Sequence, residues 1–266
     1  MVALSLALLI LCSMLGGAAA SFLAALRPQF PAWKGACQLR RTATAATATE
    51  APPSFVQELR VAAMKLHSRD QSPQGEQATQ TPVSKWEPER ADYVQFLVDS
   101  QAVYGCLEDL VAETDVLAPF RNSGLERYAA LELDIAWFQD QGVPKPTVGT
   151  PGIAYVTRLR EMAANGQWQA FICHFYNFYF AHIAGGRRIG RLIADKLLEG
   201  HTLQFYQWSA GDVDTELKPR LESKIDSMGM RWTREERYAC IEETDASFKY
   251  SGRLLDHIKI VRQPTR

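Results

Sequence analysis

The chain has 266 residues, of which 47% are hydrophobic and 22% are charged, and its formal net charge is −1. This composition is typical of a folded globular protein and excludes a collagen-like or disordered chain. We expect no nucleic-acid partner, because neutralising the phosphate backbone requires a strongly basic surface. The five cysteines form neither a C-x-x-C pair nor a zinc-finger spacing, so reduced thiols are expected.

Residues 1–52 have the composition of a targeting leader. An uncharged, leucine-rich stretch over residues 2–15 is followed by small residues, as in a secretory signal and its cleavage site. Residues 21–49 then carry basic residues, alanines and threonines without an acid, as in an organelle transit peptide. Such two-part leaders resemble those of plastids with more than two membranes, so we expect a plastid protein. A membrane anchor is the alternative, because the uncharged run approaches the length of a bilayer span.

The folded domain is expected over residues 53–266. Removal of the leader takes away four basic residues and one acid, which leaves this domain with a net charge of −4. We expect it to be a monomer without stable membrane association. Apolar residues recur at helical spacing along it, and no run alternates with period two for long enough to form a sheet. The prediction is an all-α, single-domain protein.

The helices can be delimited by their caps and stops. Ser123 with Glu126 and Thr233 with Glu236 form capping boxes, and Thr150 with Pro151 forms an N-cap and N1 pair. Helices are predicted over residues 54–68, 92–113, 123–141, 150–165 and 167–199 and from Thr233 towards Ile258, with a polar loop over residues 69–88.

The segment over residues 171–190 departs from the pattern of an ordinary core helix. Gly185 and Gly186 lie inside the predicted helix, where each costs about 1 kcal/mol relative to alanine. They indicate a kink or the close approach of a flat ligand, and a tight helix crossing is the alternative. Aromatic residues precede the glycines and arginines follow them, which suits a flat apolar ligand with anionic groups.

These residues resemble a known family, the haem oxygenases, and within it the plastid type of algae and plants. FICHFYNFYFAHIAGGRRIG (171–190) is similar to the distal-helix signature of that family, VAAMKLHSRDQ (61–71) to its proximal-ligand segment, and WTREERYACIEETDASFKYSG (232–252) to its C-terminal helix. The similarity runs from about residue 55 to residue 258. It implies a helical bundle with a glycine-kinked distal helix, which cleaves haem b with O2 to biliverdin, CO and ferrous iron. Haem is then both cofactor and substrate, and reduced ferredoxin is the implied electron donor.

The resemblance assigns His67 as the axial iron ligand. It takes the position of the proximal histidine of the family, and related plastid proteins that do not degrade haem lack this histidine. From the residues alone, His67 would equally be a structural or surface histidine near the end of its helix. Of the other histidines, His174 is expected in the core, and His201 and His257 are expected on the surface.

The remaining site residues follow from the same resemblance. Gly185 and Gly186 match the glycine pair whose backbone contacts bound O2, Tyr176 matches a distal-pocket tyrosine, and Phe248 matches an aromatic residue at the haem edge. The implied propionate contacts are Arg60, Lys218 and Lys224, whereas Met64 stands where animal members have a lysine.

His182 occupies the position of a distal aspartate found in animal and bacterial members, a replacement that is also typical of the plastid type. We expect it to organise a distal water chain that delivers protons. The alternative is that it points away, hydrogen-bonds to a neighbouring helix and only stabilises the fold.

A docking patch for ferredoxin is expected near the haem edge. Its predicted members are Arg187, Arg188, Arg191, Lys218, Arg220 and Lys224. Two other functions remain open at this stage: a haem-binding or haem-delivery module that does not degrade haem, and a non-haem helical protein built on the same architecture.

Overall fold

The computed structural model describes residues 54–71 and 83–261, and of residues 67–71 it describes only the backbone. Over these ranges the chain is helical and contains no strand, which confirms the predicted all-α class. The predicted leader lies outside the described residues. The α-helices are α1 (Phe55–Gln71), α2 (Arg90–Glu113), α3 (Tyr128–Asp140), α4 (Thr150–Ala164), α5 (Trp168–Ala181), α6 (Arg187–Leu197), α7 (Lys218–Gly229), α8 (Arg234–Glu242) and α9 (Thr244–Leu254). Short 3-10 turns lie at Val83–Lys85, Asp115–Phe120, Gln204–Tyr206 and Leu255–His257, and π-helical turns at His182–Gly186 and Val213–Leu217.

Helix α2 forms the centre of the bundle. Apolar residues occur on all of its sides, and Tyr93, Leu97, Tyr104 and Leu107 are at most 1% exposed. A helix that is apolar all round must be covered on every side. Helices α3 and α4 pack against α2, while α5 packs on α8 and α9. No helix within residues 54–71 and 83–261 is long and apolar enough to cross a membrane.

The start of α4 is capped by a side chain from α2. Asp99 is fully buried and accepts hydrogen bonds from the backbone amides of Gly149 (2.7 Å) and Gly152 (3.1 Å). A Cβ atom at Gly152 would lie 2.9 Å from the carboxyl carbon of Asp99, so glycine is required there. Thr150 is therefore the first helical residue rather than the predicted N-cap, which is Gly149. The sequence prediction was wrong by one residue because the cap is a tertiary contact.

The predicted capping box at Ser123 and Glu126 does not open a helix. Glu126 accepts from the amides of Ser123 and Gly124, which closes a turn ahead of α3. Helix α3 begins at Tyr128, and the side chain of Glu108 in α2 accepts from the amides of residues 127 and 128 at 2.6 and 3.0 Å. The first orphan donors of α3 are thus satisfied from another helix.

The predicted long helix over residues 167–199 is broken once. It comprises α5, the π turn His182–Gly186 and α6, so the expected interruption at the glycine pair is confirmed. Thr233 and Glu236 do form the predicted capping box. The helix that follows is divided between Glu242 and Thr244 into α8 and α9, and α1 continues to Gln71 instead of ending at Ser68.

Helix α1 is fixed along one side by α7. Asp226 accepts from the backbone amide of Val56 at 2.8 Å, and Arg60 forms an ion pair with Glu222 at 2.6 Å. The ring of Phe55 lies so close to Gly229 that a Cβ atom there would be 2.5 Å from it. These contacts set the direction in which α1 continues towards position 67.

Candidate functional site

The candidate site is centred on the π turn between α5 and α6. A π turn inside an α-helix leaves backbone groups without their usual partners and is frequent at functional sites. Here the Nε atom of Arg187 donates to the carbonyl of Ile183 at 2.6 Å. The same guanidinium makes two hydrogen bonds with the carboxylate of Asp214, at 2.9 and 2.8 Å. The Arg187 guanidinium therefore ties the π turn to Asp214, and its place in the predicted ferredoxin patch stays a prediction.

The three glycines at this turn have different surroundings. A Cβ atom at Gly185 would meet nothing within 4 Å, so this backbone borders open space. A Cβ atom at Gly186 would lie 2.9 Å from Nδ1 of His182. At Gly190, one turn further on, it would lie 2.3 Å from the ring of Tyr206. Only Gly185 thus presents free backbone to a ligand, whereas Gly186 and Gly190 admit close protein neighbours.

His182 is held by a backbone carbonyl. Its Nε2–H donates to the carbonyl of Phe205 at 2.9 Å, and its ring stacks on the Phe205 ring with centroids 4.0 Å apart. Burial lowers the pKa of His182 to about 3, although the bond to Phe205 opposes this. The imidazole is therefore neutral near pH 7, with Nδ1 unprotonated and next to Gly186. The structural alternative predicted a bond to a neighbouring helix, whereas the observed acceptor lies in the 3-10 turn Gln204–Tyr206. A role in proton delivery stays a prediction.

Tyr176 connects α5 with α1. It is 4% exposed, and its ring lies against Phe180 with centroids 4.3 Å apart. Burial raises the pKa of Tyr176 to about 12, while the nearby Arg60 guanidinium acts in the opposite direction. Arg60 is also paired with Glu222 through one of its terminal nitrogens, so the carboxylate of Glu222 partly neutralises the charge that a propionate would meet.

The other predicted contact residues lie on two helices, α7 and α9. The amine of Lys218 at the start of α7 is 5.9 Å from the ring centre of Phe180, on the helix that leads into the π turn. Lys224 is half-buried on α7 and has no carboxylate partner among the described residues. Phe248 is half-buried on α9. Lys218 thus lies beside the distal helix, as does Arg60 through its contact with Tyr176.

Position 67 lies in the last part of α1, where the structure describes the backbone alone. It is seven residues beyond Arg60, and two turns of an α-helix return to the same side. Arg60 contacts Tyr176, so the side of α1 that carries Arg60 is next to α5 at this turn. The assignment of His67 as iron ligand stays a prediction.

The remaining histidines can be compared with their expected places. His174 is fully buried, between the hydroxyl of Tyr155 (3.0 Å) and the carboxylate of Glu243 (3.1 Å), which confirms a hydrogen-bonded core residue. His257 is half-buried at the surface, where it bonds to the buried Asp99 at 3.0 Å. His201 is exposed, as expected, and stacks on Trp137.

Sequence reasoning missed the residues that hold His182. Phe205 supplies the acceptor carbonyl, Tyr206 fills the space over Gly190, and Asp134 accepts from the backbone amides of residues 204 and 205. One signal was present in the sequence. Asp134 is a lone acid on the apolar side of α3 that carries Leu131, Ile135 and Phe138.

A separate cavity of about 270 Å³ lies between α2, the turn Asp115–Phe120 and α5. Phe120, Phe175 and Tyr179 form part of its wall, together with Glu108 and Glu126. Phe175 and Tyr179 belong to the aromatic run ahead of the glycines, but Tyr176, His182, Gly185 and Gly186 do not line this cavity.

Comparisons with known proteins agree with the family and the fold. The family model described as "Heme oxygenase" matches residues 53–257. The "Heme oxygenase 1, chloroplastic" of Arabidopsis thaliana is 46% identical over 209 residues, 76% of this chain and 72% of the relative. A "Probable inactive heme oxygenase 2, chloroplastic" of the same plant is 37% identical over 172 residues, 64% of this chain and 56% of the relative.

Solved structures show the same fold. The heme oxygenase-1 of Synechocystis, described as a complex with heme, superposes with a TM-score of 0.61 at 18% identity, covering 77% of this chain and 91% of that one. The heme oxygenase 2 of Chlamydomonas reinhardtii, described as lacking heme, gives 0.60 at 17% identity, covering 80% and 100%. With three quarters of its length matched by the family model, the chain belongs to the heme oxygenase family.

Proposed function

We propose that the chain is an active haem oxygenase of the plastid type, which cleaves haem b with O2 to biliverdin, CO and ferrous iron. The observation that carries the proposal is the open space over Gly185 in a distal helix broken by a π turn. A flat ligand can approach a backbone there that has no side chain in the way. When bound, haem supplies O2 activation at its iron and is itself the molecule that is cut.

The residues of this chain then have distinct roles. His67 would hold the iron from α1, and the Gly185 backbone would contact the bound haem. Lys218 is placed to attract the propionates, because its amine lies beside the distal helix at Phe180. His182 would act on the site through its bond to Phe205 and its contact with Gly186.

Family membership does not by itself decide activity, because relatives named probable inactive also match this chain. They favour the second candidate function, a haem-binding module that does not degrade its ligand. His67 supports the active alternative, since the proximal ligand position is filled by a residue that can bind iron.

A single-turnover experiment separates the two functions. The protein is loaded with hemin and mixed in air with NADPH, ferredoxin and ferredoxin reductase. An active enzyme should lose its Soret band and develop bile-pigment absorption. A binding module should keep its Soret band, and failure to bind hemin at all would favour a non-haem protein. A His67→Ala variant is the matched control for an axial ligand.

We also propose that residues 1–52 direct the protein to a plastid and that reduced ferredoxin supplies the electrons. The relatives named chloroplastic and the position at which the family match begins, residue 53, support the leader. Fusion of residues 1–52 to a fluorescent reporter tests the proposed leader. A plastid leader should bring the reporter into plastids and be cleaved, whereas a membrane anchor would leave the fusion uncleaved in membranes. Mass spectrometry of the processed fusion would locate the cleavage site.

A further inference from the structure

Residues 203–208 form a short connection that we call the 203–208 segment. It contacts the distal helix before and after Gly185. On one side, the carbonyl of Phe205 accepts from Nε2 of His182, the first residue of the π turn, at 2.9 Å. On the other side, the ring of Tyr206 fills the space over Gly190 in α6. The π turn therefore lies between two contacts that come from one short segment.

The 203–208 segment is itself fixed to α3 by a buried carboxylate. Asp134 is 2% exposed, and its two oxygens accept from the backbone amides of Gln204 (2.8 Å) and Phe205 (2.7 Å). A carboxylate can serve two adjacent amide donors at once, because it carries only acceptors. Bonds of an ionised acceptor with backbone N–H groups are among the stronger hydrogen bonds in proteins.

Two further contacts hold the same segment. The Arg127 guanidinium, just before α3, donates to the carbonyls of Phe205 (3.4 Å) and Gln207. The hydroxyl of Tyr206 bonds to that of Tyr93 in α2 at 3.0 Å. The segment is thus attached to the rigid centre of the bundle at several points.

A continuous chain of contacts leads from Asp134 to the open glycine. Asp134 binds the amide of Phe205, the carbonyl of Phe205 binds His182, and the His182 ring touches the backbone at Gly186. Gly185 directly precedes Gly186 in the chain. Small displacements of a group that faces a reacting ligand are costly, so such a chain matters for geometry as well as for stability.

We propose that Asp134 is a positioning residue: by anchoring the 203–208 segment it fixes His182 and Gly190, and through them the placement of the π turn over the substrate. The proposal concerns the orientation of haem at the site and in that respect rests on the proposed function. The anchoring of the π turn by Asp134 does not depend on haem and can be measured in the haem-free protein.

The test compares Asp134→Asn with Glu132→Gln, which changes an exposed acid on the same helix. Asparagine offers one acceptor and places an NH2 group against the second amide donor. Amide hydrogen exchange is measured in the haem-free proteins by mass spectrometry. We expect exchange over residues 182–190 to quicken about tenfold or more in Asp134→Asn, as for loss of a bond to a charged acceptor. Exchange in α4 should stay as in the wild type, and Glu132→Gln should behave as the wild type throughout.

A second readout needs the loaded enzyme. Biliverdin isomers are separated by chromatography after single turnover, and we expect Asp134→Asn to yield a mixture where the wild type yields one isomer. A residue that only stabilised the fold would not change the position at which the ring is cut. Should the wild type not degrade hemin, the proposed function fails while the exchange experiment still tests the anchoring.

The proposal would be overturned if residues 203–208 exchange faster in Asp134→Asn while residues 182–190 exchange as in the wild type. If Asp134→Asn does not fold, Tyr206→Phe carries the test, because it removes the bond to Tyr93 and keeps the ring over Gly190. We then expect a smaller acceleration confined to residues 182–190 and 203–208. Unchanged exchange over residues 182–190 would refute the anchoring.

Discussion

Alanine substitutions at Gly185, Gly186 and Gly190 should affect the haem-free protein in opposite directions. Gly185 borders open space and lies in a helical stretch without positive φ. Alanine there should stabilise the fold by about 0.4–1 kcal/mol, mainly by restricting the unfolded chain. At Gly190 the new methyl group would lie 2.3 Å from the Tyr206 ring. Forcing an extra carbon into such a contact costs about 1–3 kcal/mol, more than that gain.

Gly186 should lie between these limits. Its new methyl group would lie 2.9 Å from Nδ1 of His182, a ring that is stacked on Phe205 and bonded to its carbonyl. We expect a net loss of about 1 kcal/mol after the gain from the unfolded chain is subtracted. The order of stability should therefore be Gly185→Ala above the wild type, followed by Gly186→Ala and then Gly190→Ala.

Urea unfolding of the haem-free variants measures this order, and Soret titration measures hemin binding. Gly185→Leu should fold at least as well as the wild type and bind hemin far more weakly, because the side chain occupies the open space. Equal losses of stability at all three positions would refute the contacts on which the order rests. Unchanged hemin affinity in Gly185→Leu would refute the placement of the ligand at Gly185 and favour a helix crossing.

Three further predictions concern the charged and ligating groups. His67→Ala should abolish turnover while the protein still takes up hemin, with the spectrum partly restored by imidazole; turnover at the wild-type rate would disprove the ligand assignment. Burial of His182 lowers its pKa to about 3, so its contribution to stability is complete above pH 6.5 and is lost as the pH falls. The unfolding free energy of His182→Gln should therefore fall by about 2 kcal/mol less than that of the wild type between pH 7.5 and 5. An equal fall in both proteins would contradict the neutral, buried imidazole. The rate of reduction by ferredoxin should fall steeply with ionic strength. A rate indifferent to salt would contradict the docking patch of Arg187, Arg188, Arg191, Lys218, Arg220 and Lys224.

The His182 variants also decide between its two roles. Slower bile-pigment formation at unchanged hemin affinity would support proton delivery. Unchanged turnover with a lower melting temperature would make His182 a structural residue that holds the π turn through Phe205.

The sequence determined the features that depend on nearby residues. Apolar spacing fixed the helical class, Thr233 with Glu236 marked the start of α8, and the glycine pair marked the break in the distal helix. In each case the interacting groups lie within one or two turns of each other, so their pattern is visible in the chain itself.

Tertiary structure decided where the same local patterns fail. Ser123 and Glu126 have the spacing of a capping box, yet α3 starts later because Glu108 of another helix caps it. Asp99 likewise displaces the start of α4. Acceptors that are distant in sequence outcompeted the local ones, since a buried amide needs a partner wherever that partner comes from.

The site shows the same division. The sequence singled out Gly185, Gly186 and His182, but it could not show that Gly185 borders open space while Gly186 lies against the His182 ring. That difference arises from Phe205 and Tyr206, some twenty residues further along the chain, and from Asp134, which holds them. Whether a glycine faces open space or a side chain is decided by what packs against it, and only the folded chain brings those groups together.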